Sequence, residues 1–128
     1  MYVVILYRYG NDSDGRIICR SKTLTGAREY GYWYLQTHTG CHIDIHDDRT
    51  AKKGIFKPTG QKINLTVGDK IAEMHIHRGG ASAGTVFYYP DWYSPYYEKE
   101  WRRKDKAGIA CYHKYKVRED GSLGKGYW

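Results

Sequence analysis

Short runs in which apolar and polar residues alternate dominate this chain. Tyr2 to Tyr9 is a run of β-branched and aromatic residues that predicts a strand. Asn11-Asp12-Ser13-Asp14-Gly15 is dense in turn-forming residues, and Arg16 to Ser21 predicts the returning strand of a hairpin. Thr23 or Thr25 is placed to cap a helix running to about His38, with Leu24, Ala27, Tyr34, Leu35 and His38 roughly on one side and Gly40 as its stop; Gly31 weakens it. From Cys41 to His46 the period is two. Cys41, Ile43 and Ile45 share one face, and His42, Asp44 and His46 share the other, as in a half-buried strand.

Asp47 to Gly60 is polar and predicts loop, with room for one short strand at Ile55 to Lys57. Lys62 to Val67 and Lys70 to His77 read as a hairpin around Gly68-Asp69, followed by a small-residue loop at Gly79 to Gly84 and a strand at Thr85 to Tyr89. Ser94-Pro95 is a helix start, with the hydroxyl placed to cap and proline at the first helical position, and the helix runs to Ala107. Ile109 to Val117 alternates again, and the tail from Glu119 to Trp128 shows no clear element. The expected fold is therefore α+β: one domain over residues 1–128, a mostly antiparallel sheet of about six strands, and two helices.

Composition narrows the class. A chain of 128 residues is long enough to bury a core without disulfides or metal. Fourteen Tyr, four Trp and two Phe argue against disorder, because disordered chains are poor in aromatics. The longest apolar run ends at Arg8, far short of the roughly 20 residues a membrane helix needs, and it lacks the basic leader of a secretory signal. The expectation is a cytoplasmic protein. In that compartment Cys19, Cys41 and Cys111, with no C-x-x-C among them, read as small buried hydrophobes.

Five of the six histidines sit in alternating segments: His42-x-Asp44-x-His46, His75-x-His77 and Cys111-x-His113. Residues two apart on a strand project from one face, so an H-x-H pair sets two imidazoles about 7 Å apart, within reach of one metal ion. In the first two segments the histidines lie opposite the aliphatic residues. If the two strands are neighbours, His42, His46, His75 and His77 converge with Asp44 on one patch, and nitrogen ligation of that kind suits Zn2+. Cys111 and His113 are the reserve pair. The competing reading is a set of unrelated solvent-facing histidines.

Catalytic patterns are weak, and no catalytic residue is assigned. Gly80-Ala81-Ser82-Ala83-Gly84 matches the letters of a nucleophile elbow, but a strand follows it where that turn needs a helix. Pro90-Asp91 lacks the second half of the nuclease motif it begins. A small metal-dependent nuclease stays in view, because His42, Asp44, His46, Asp47 and Asp48 crowd nitrogen and oxygen ligands into seven residues of a basic chain.

The formal charge is +7, from 21 Lys and Arg against 14 Asp and Glu. Cations and rings interleave around the second helix. Tyr93, Tyr97 and Trp101, spaced by four, fit packing on the sheet, which leaves Tyr96, Lys99, Arg102 and Arg103 as candidate partner contacts. The partner is a protein or, through stacking and phosphate contacts, a nucleic acid.

This format, a small tyrosine-rich intracellular chain with no enzyme motif and the segments Cys41-His42-Ile43-Asp44-Ile45-His46 and His75-Ile76-His77, resembles the phage-encoded anti-CRISPR proteins, in particular a zinc-containing inhibitor of the Cas9 nuclease. The resemblance implies a non-enzymatic protein that binds a host nuclease and blocks loading of target DNA. A basic chain would do so by docking on an acidic protein face or on nucleic acid in the complex, not by imitating DNA. The alternatives are a basic, aromatic nucleic-acid-binding module and the small metal-dependent nuclease.

Overall fold

Branched and aromatic residues in two-residue alternation favour strands, and the central strands of this protein are covered on both faces. The computed structural model describes residues 1–9, 11–50, 68–90 and 114–127. In chain order they form β1 (Tyr2–Arg8), β2 (Asn11–Ser21), α1 (Leu24–Thr37), β3 (Cys41–Asp47), β4 (Asp69–Ile76), β5 (Val86–Pro90), β6 (Lys114–Val117) and β7 (Leu123–Tyr127). The strands make one sheet in the order β2-β1-β3-β4-β5-β6-β7, with every pairing antiparallel. Helix α1 carries the chain from β2 across β1 to β3 and packs on one face of the sheet.

The helix starts at the first of the two positions the sequence offers. Thr23 is its cap, its hydroxyl accepting from the Gly26 amide at 3.0 Å. Ala27, Gly31 and Leu35, at successive fourth positions, are buried. A β-carbon on Gly31 would lie 2.8 Å from Met74 Sδ, so the residue that weakens the isolated helix is the one that lets it approach the sheet. Arg28 is buried as well: its Nε donates to the Gly121 carbonyl at 2.7 Å, and its guanidinium lies 5.2 Å from the Tyr88 ring centre.

Between helix and sheet, Val4, Ile43, Ile45, Ala72, Met74, Val86, Tyr88 and Val117 build the main core. Val3, Ile5 and Tyr7 of β1, with Ile17 of β2, form a second cluster on the opposite face. The alternation in β3 follows the same division: Cys41, Ile43 and Ile45 join the helix-side core. Cys41 is buried, and burial pushes its thiol above its usual pKa, which fits inert packing.

The sequence expectation needs correction in its count of elements. Among the described residues there are seven strands instead of about six, and one α-helix instead of two. The second expected helix, Ser94 to Ala107, lies outside the described residues, as do the expected strands at Ile55 to Lys57 and Lys62 to Val67. The added strand is β7, where Gly124 and Gly126 have low strand propensity. Its signal was the Asp120-Gly121 turn. Gly121 takes φ +82°, and Asp120 Oδ1 accepts from the amide and hydroxyl of Ser122 at 2.9 and 2.5 Å. At the other edge, β2 begins at Asn11, in the segment that reads as a turn. The Arg8–Asn11 pair draws it into the sheet, and irregular register between Leu6 and Arg8 absorbs the extra residues. Among the described residues, no helix is long and apolar enough to cross a membrane.

Candidate functional site

The histidine face is built by β3 and β4. They pair directly, with Ile43 opposite Met74 and Asp44 opposite Glu73, so one residue further on His42 meets His75. The two rings stack, 4.9 Å between centroids and 7° between planes. Tyr7 stacks on the other side of His42 at 5.5 Å, and Tyr89 meets His75 edge-on at 5.4 Å. A row of planar rings thus crosses β1, β3, β4 and β5.

Polar groups fix this row. His75 Nε2 lies 2.9 Å from Glu73 Oε2, and its Nδ1 lies 3.0 Å from the hydroxyl of Tyr9, just beyond β1. An ionised carboxylate only accepts, so Nε2 carries the proton, Nδ1 is the acceptor, and Tyr9 donates. Lys70 also donates to Glu73. The His75 bond, followed by Lys70, holds the Glu73 carboxyl down at about 2 against an ordinary 4.5, in spite of partial burial. Asp44 is buried, with Lys70 Nζ at 3.8 Å and His42 Nε2 at 3.7 Å.

Glu73 therefore gives a pH prediction. Because its folded pKa lies below the unfolded one, its contribution is complete above about pH 4.5, shrinks as the pH falls through that interval and is gone below about pH 2. In denaturant titrations at pH 7, 4 and 2, wild type is expected to be more stable than Glu73→Gln at neutral pH, with the gap closing by pH 2. A gap independent of pH would show that the carboxylate charge is not what matters.

The four histidines proposed as zinc ligands are not brought together. His42 and His75 meet, but their planes are parallel. A metal ion binds along a nitrogen lone pair, in the plane of the imidazole, so an ion held by one ring lies out of the plane of the other. Both nitrogens of His75 are engaged by Tyr9 and Glu73. His46 is four residues along β3 from His42, roughly 13 Å, and a register shift between Ile45 and His46 sets it opposite Lys70, with Nδ1 2.9 Å from the Gly68 carbonyl. His77 lies past the end of β4, its Nδ1 3.0 Å from Ser82 Oγ and its ring against Phe87. Among the described residues no group of three or more His, Cys, Asp or Glu side chains is placed to hold a metal ion. As arranged, His42, Asp44, His46, His75 and His77 do not fit zinc. Cys111 and His113 lie outside the described residues.

Ser82 sits in a short turn between β4 and β5, antiparallel neighbours, which is not the strand-to-helix setting of a nucleophile elbow. The partner contacts expected at Tyr96, Lys99, Arg102 and Arg103 also lie outside the described residues.

A second surface escaped the sequence reading. On the outer side of α1, Tyr30 and Trp33 are 40% and 50% exposed. They border an open cleft of about 370 Å³ between the helix and the end of β2, lined also by Cys19, Arg20, Ser21, Gly26 and Glu29. The Trp33 indole donates to the Glu119 carbonyl at 3.1 Å, which fixes its ring, and Arg20 lies 3.4 Å from Asp48. The available signal was helical spacing: Tyr30 and Trp33 are three residues apart and fall off the face of Ala27, Gly31 and Leu35. Tyr9 and Glu73 were missed for another reason. Glu73-x-His75 shares a strand face, but nothing in the sequence ties Tyr9 to it. Comparison with known proteins gives no family: no family model matches the chain, and neither does any curated protein or solved structure.

Proposed function

We propose that the protein acts by binding, as a stoichiometric, non-enzymatic inhibitor of a host nuclease of the Cas9 kind, which it stops from loading target DNA. The observation that carries this reading is the α1–β2 surface: two large exposed rings, Tyr30 and Trp33, beside Arg20 around an open cleft. Trp, Tyr and Arg are the residue types that dominate binding hot spots, and fixed rings lose little entropy on docking. With a charge of +7, the chain is drawn to an acidic face of a protein partner. The nuclease itself is named by the resemblance of the chain's format and histidine segments to anti-CRISPR proteins. Zinc has no part in this reading.

The test is plasmid cleavage by Cas9 loaded with guide RNA, titrated with the protein. Near-equimolar protein is expected to stop cleavage, and Tyr30→Ala combined with Arg20→Ala to raise the required dose at least about tenfold, roughly 1.4 kcal/mol of binding, with melting lowered by no more than the loss of one exposed ion pair. Full cleavage at a large excess of protein would sink the inhibitor reading. Retention on DNA that weakens steeply with salt would favour the nucleic-acid module, and digestion of plasmid by the protein with divalent metal would favour the nuclease.

A further inference from the structure

The polar chain on the histidine face has a chemical capacity that docking through α1 does not use. Tyr9 is 53% exposed, so water is available to its hydroxyl, yet the hydroxyl is directed at His75 Nδ1 at 3.0 Å. His75 is in turn held through Nε2 by the Glu73 carboxylate at 2.9 Å, and its ring is clamped between the face of His42 and the edge of Tyr89. The backbone beneath Tyr9 is also fixed, its amide donating to the Gly40 carbonyl at 2.9 Å. An oxygen with a proton to give, an imidazole lone pair to take it and a carboxylate to stabilise the resulting imidazolium form the logic of an activated nucleophile.

We propose that Tyr9 is a nucleophile toward phosphate diesters, with His75 as its general base and Glu73 orienting the imidazole. Partial burial, together with Cys41 and Glu73, keeps the phenol protonated, so it needs a base to react. The electrophile class follows from charge: the chain is strongly basic, and Arg78, which donates to the His38 carbonyl at 2.7 Å close in sequence to the Gly40 carbonyl that holds Tyr9, brings a cation to this end of the face, favouring an anionic ester. In the step, a bond forms from Tyr9 Oη to phosphorus as the bond from phosphorus to the leaving oxygen breaks. The phenol proton passes to His75 Nδ1 and then to the leaving group. The product is a tyrosyl phosphodiester, one per chain, and the exchange needs no co-reactant beyond the diester.

The experiment uses the full chain with bis(p-nitrophenyl) phosphate as probe, following nitrophenolate release and locating the adduct by peptide mass spectrometry. Tyr30, 40% exposed, serves as the internal reference for an unassisted tyrosine. Tyr9 is expected to be labelled roughly 100-fold faster than Tyr30, the scale of general-base assistance. Tyr9→Phe is expected to abolish the fast phase, and His75→Gln to bring Tyr9 down to the rate of Tyr30. Labelling of Tyr9 at the Tyr30 rate in the folded wild-type chain would overturn the proposal, whatever the variants do. So would a fast phase that persists in His75→Gln.

Discussion

Gly121→Ala is expected to cost at least about 3 kcal/mol of stability, among the largest effects of any single methyl group added to this chain. Two terms combine. Gly121 sits at φ +82° in the turn between β6 and β7, a region where a side chain costs about 1–2 kcal/mol. Its β-carbon would also fall 2.2 Å from the Thr25 carbonyl oxygen and 2.7 Å from the Glu29 amide, both backbone atoms of α1. Backbone in a helix cannot swing aside, so the turn must lift off and strain the Arg28 bond to the Gly121 carbonyl, leaving a buried guanidinium short of a partner. Gly40 is the control. It has φ +70°, and a β-carbon added there would meet nothing within 4 Å, so Gly40→Ala is expected to cost only the conformational term, about 1 kcal/mol. Denaturant titration of the two variants separates the terms. Equal losses would mean that the turn does not bear on the helix.

Ile43→Ala is expected to cost about 2–5 kcal/mol, lowering the melting temperature by roughly 10 °C or more. Ile43 is fully buried near the middle of the sheet, paired with Leu6 on one side and Met74 on the other. It lies under Gly31, where a β-carbon would come within 3.5 Å of Ile43 Cδ1, so the helix backbone is close above it. Deleting three carbons there leaves a cavity that neither a paired strand nor a packed helix can collapse to fill. Ile17→Ala, on the partly exposed edge strand, is expected to lose much less. A small loss at Ile43 in thermal melts would contradict the packing of α1 on β3.

The strand character of β1, the alternation of β3 and a threonine cap for α1 were legible in the sequence because they depend on local spacing, and Thr23 is the cap instead of Thr25. But β3 is covered on both faces, with Asp44, His46 and Asp47 buried, where a half-buried strand was expected. The convergence of four histidines was not a local property. It depended on which residues of β3 and β4 pair, and a register that sets Asp44 opposite Glu73 brings His42 to His75 while leaving His46 and His77 toward opposite ends of the strand pair. Arg28 illustrates the same limit from the other side. In the sequence it is one more cation on a helix, and only the return of the chain at Gly121 makes it a buried partner of a carbonyl 93 residues away. Tyr9 reads as the end of a strand until β4 is laid two strands away from it.

The position of β1 between β2 and β3 also sets an order of events during synthesis. This very apolar strand leaves the ribosome before either neighbour, and its pairing with β3 joins Tyr2 to Asp47 across the whole of α1. Contacts of such long sequence separation form late, whereas the β1–β2 hairpin is local and forms early. For that interval the hairpin is a two-stranded ribbon with an unfilled apolar edge, the kind of species that recruits other chains. On the other edge of that ribbon, the cations Arg16 and Arg20 and the bulge of β2 opposite Val4 and Ile5 are features of the kind that discourage pairing with further chains.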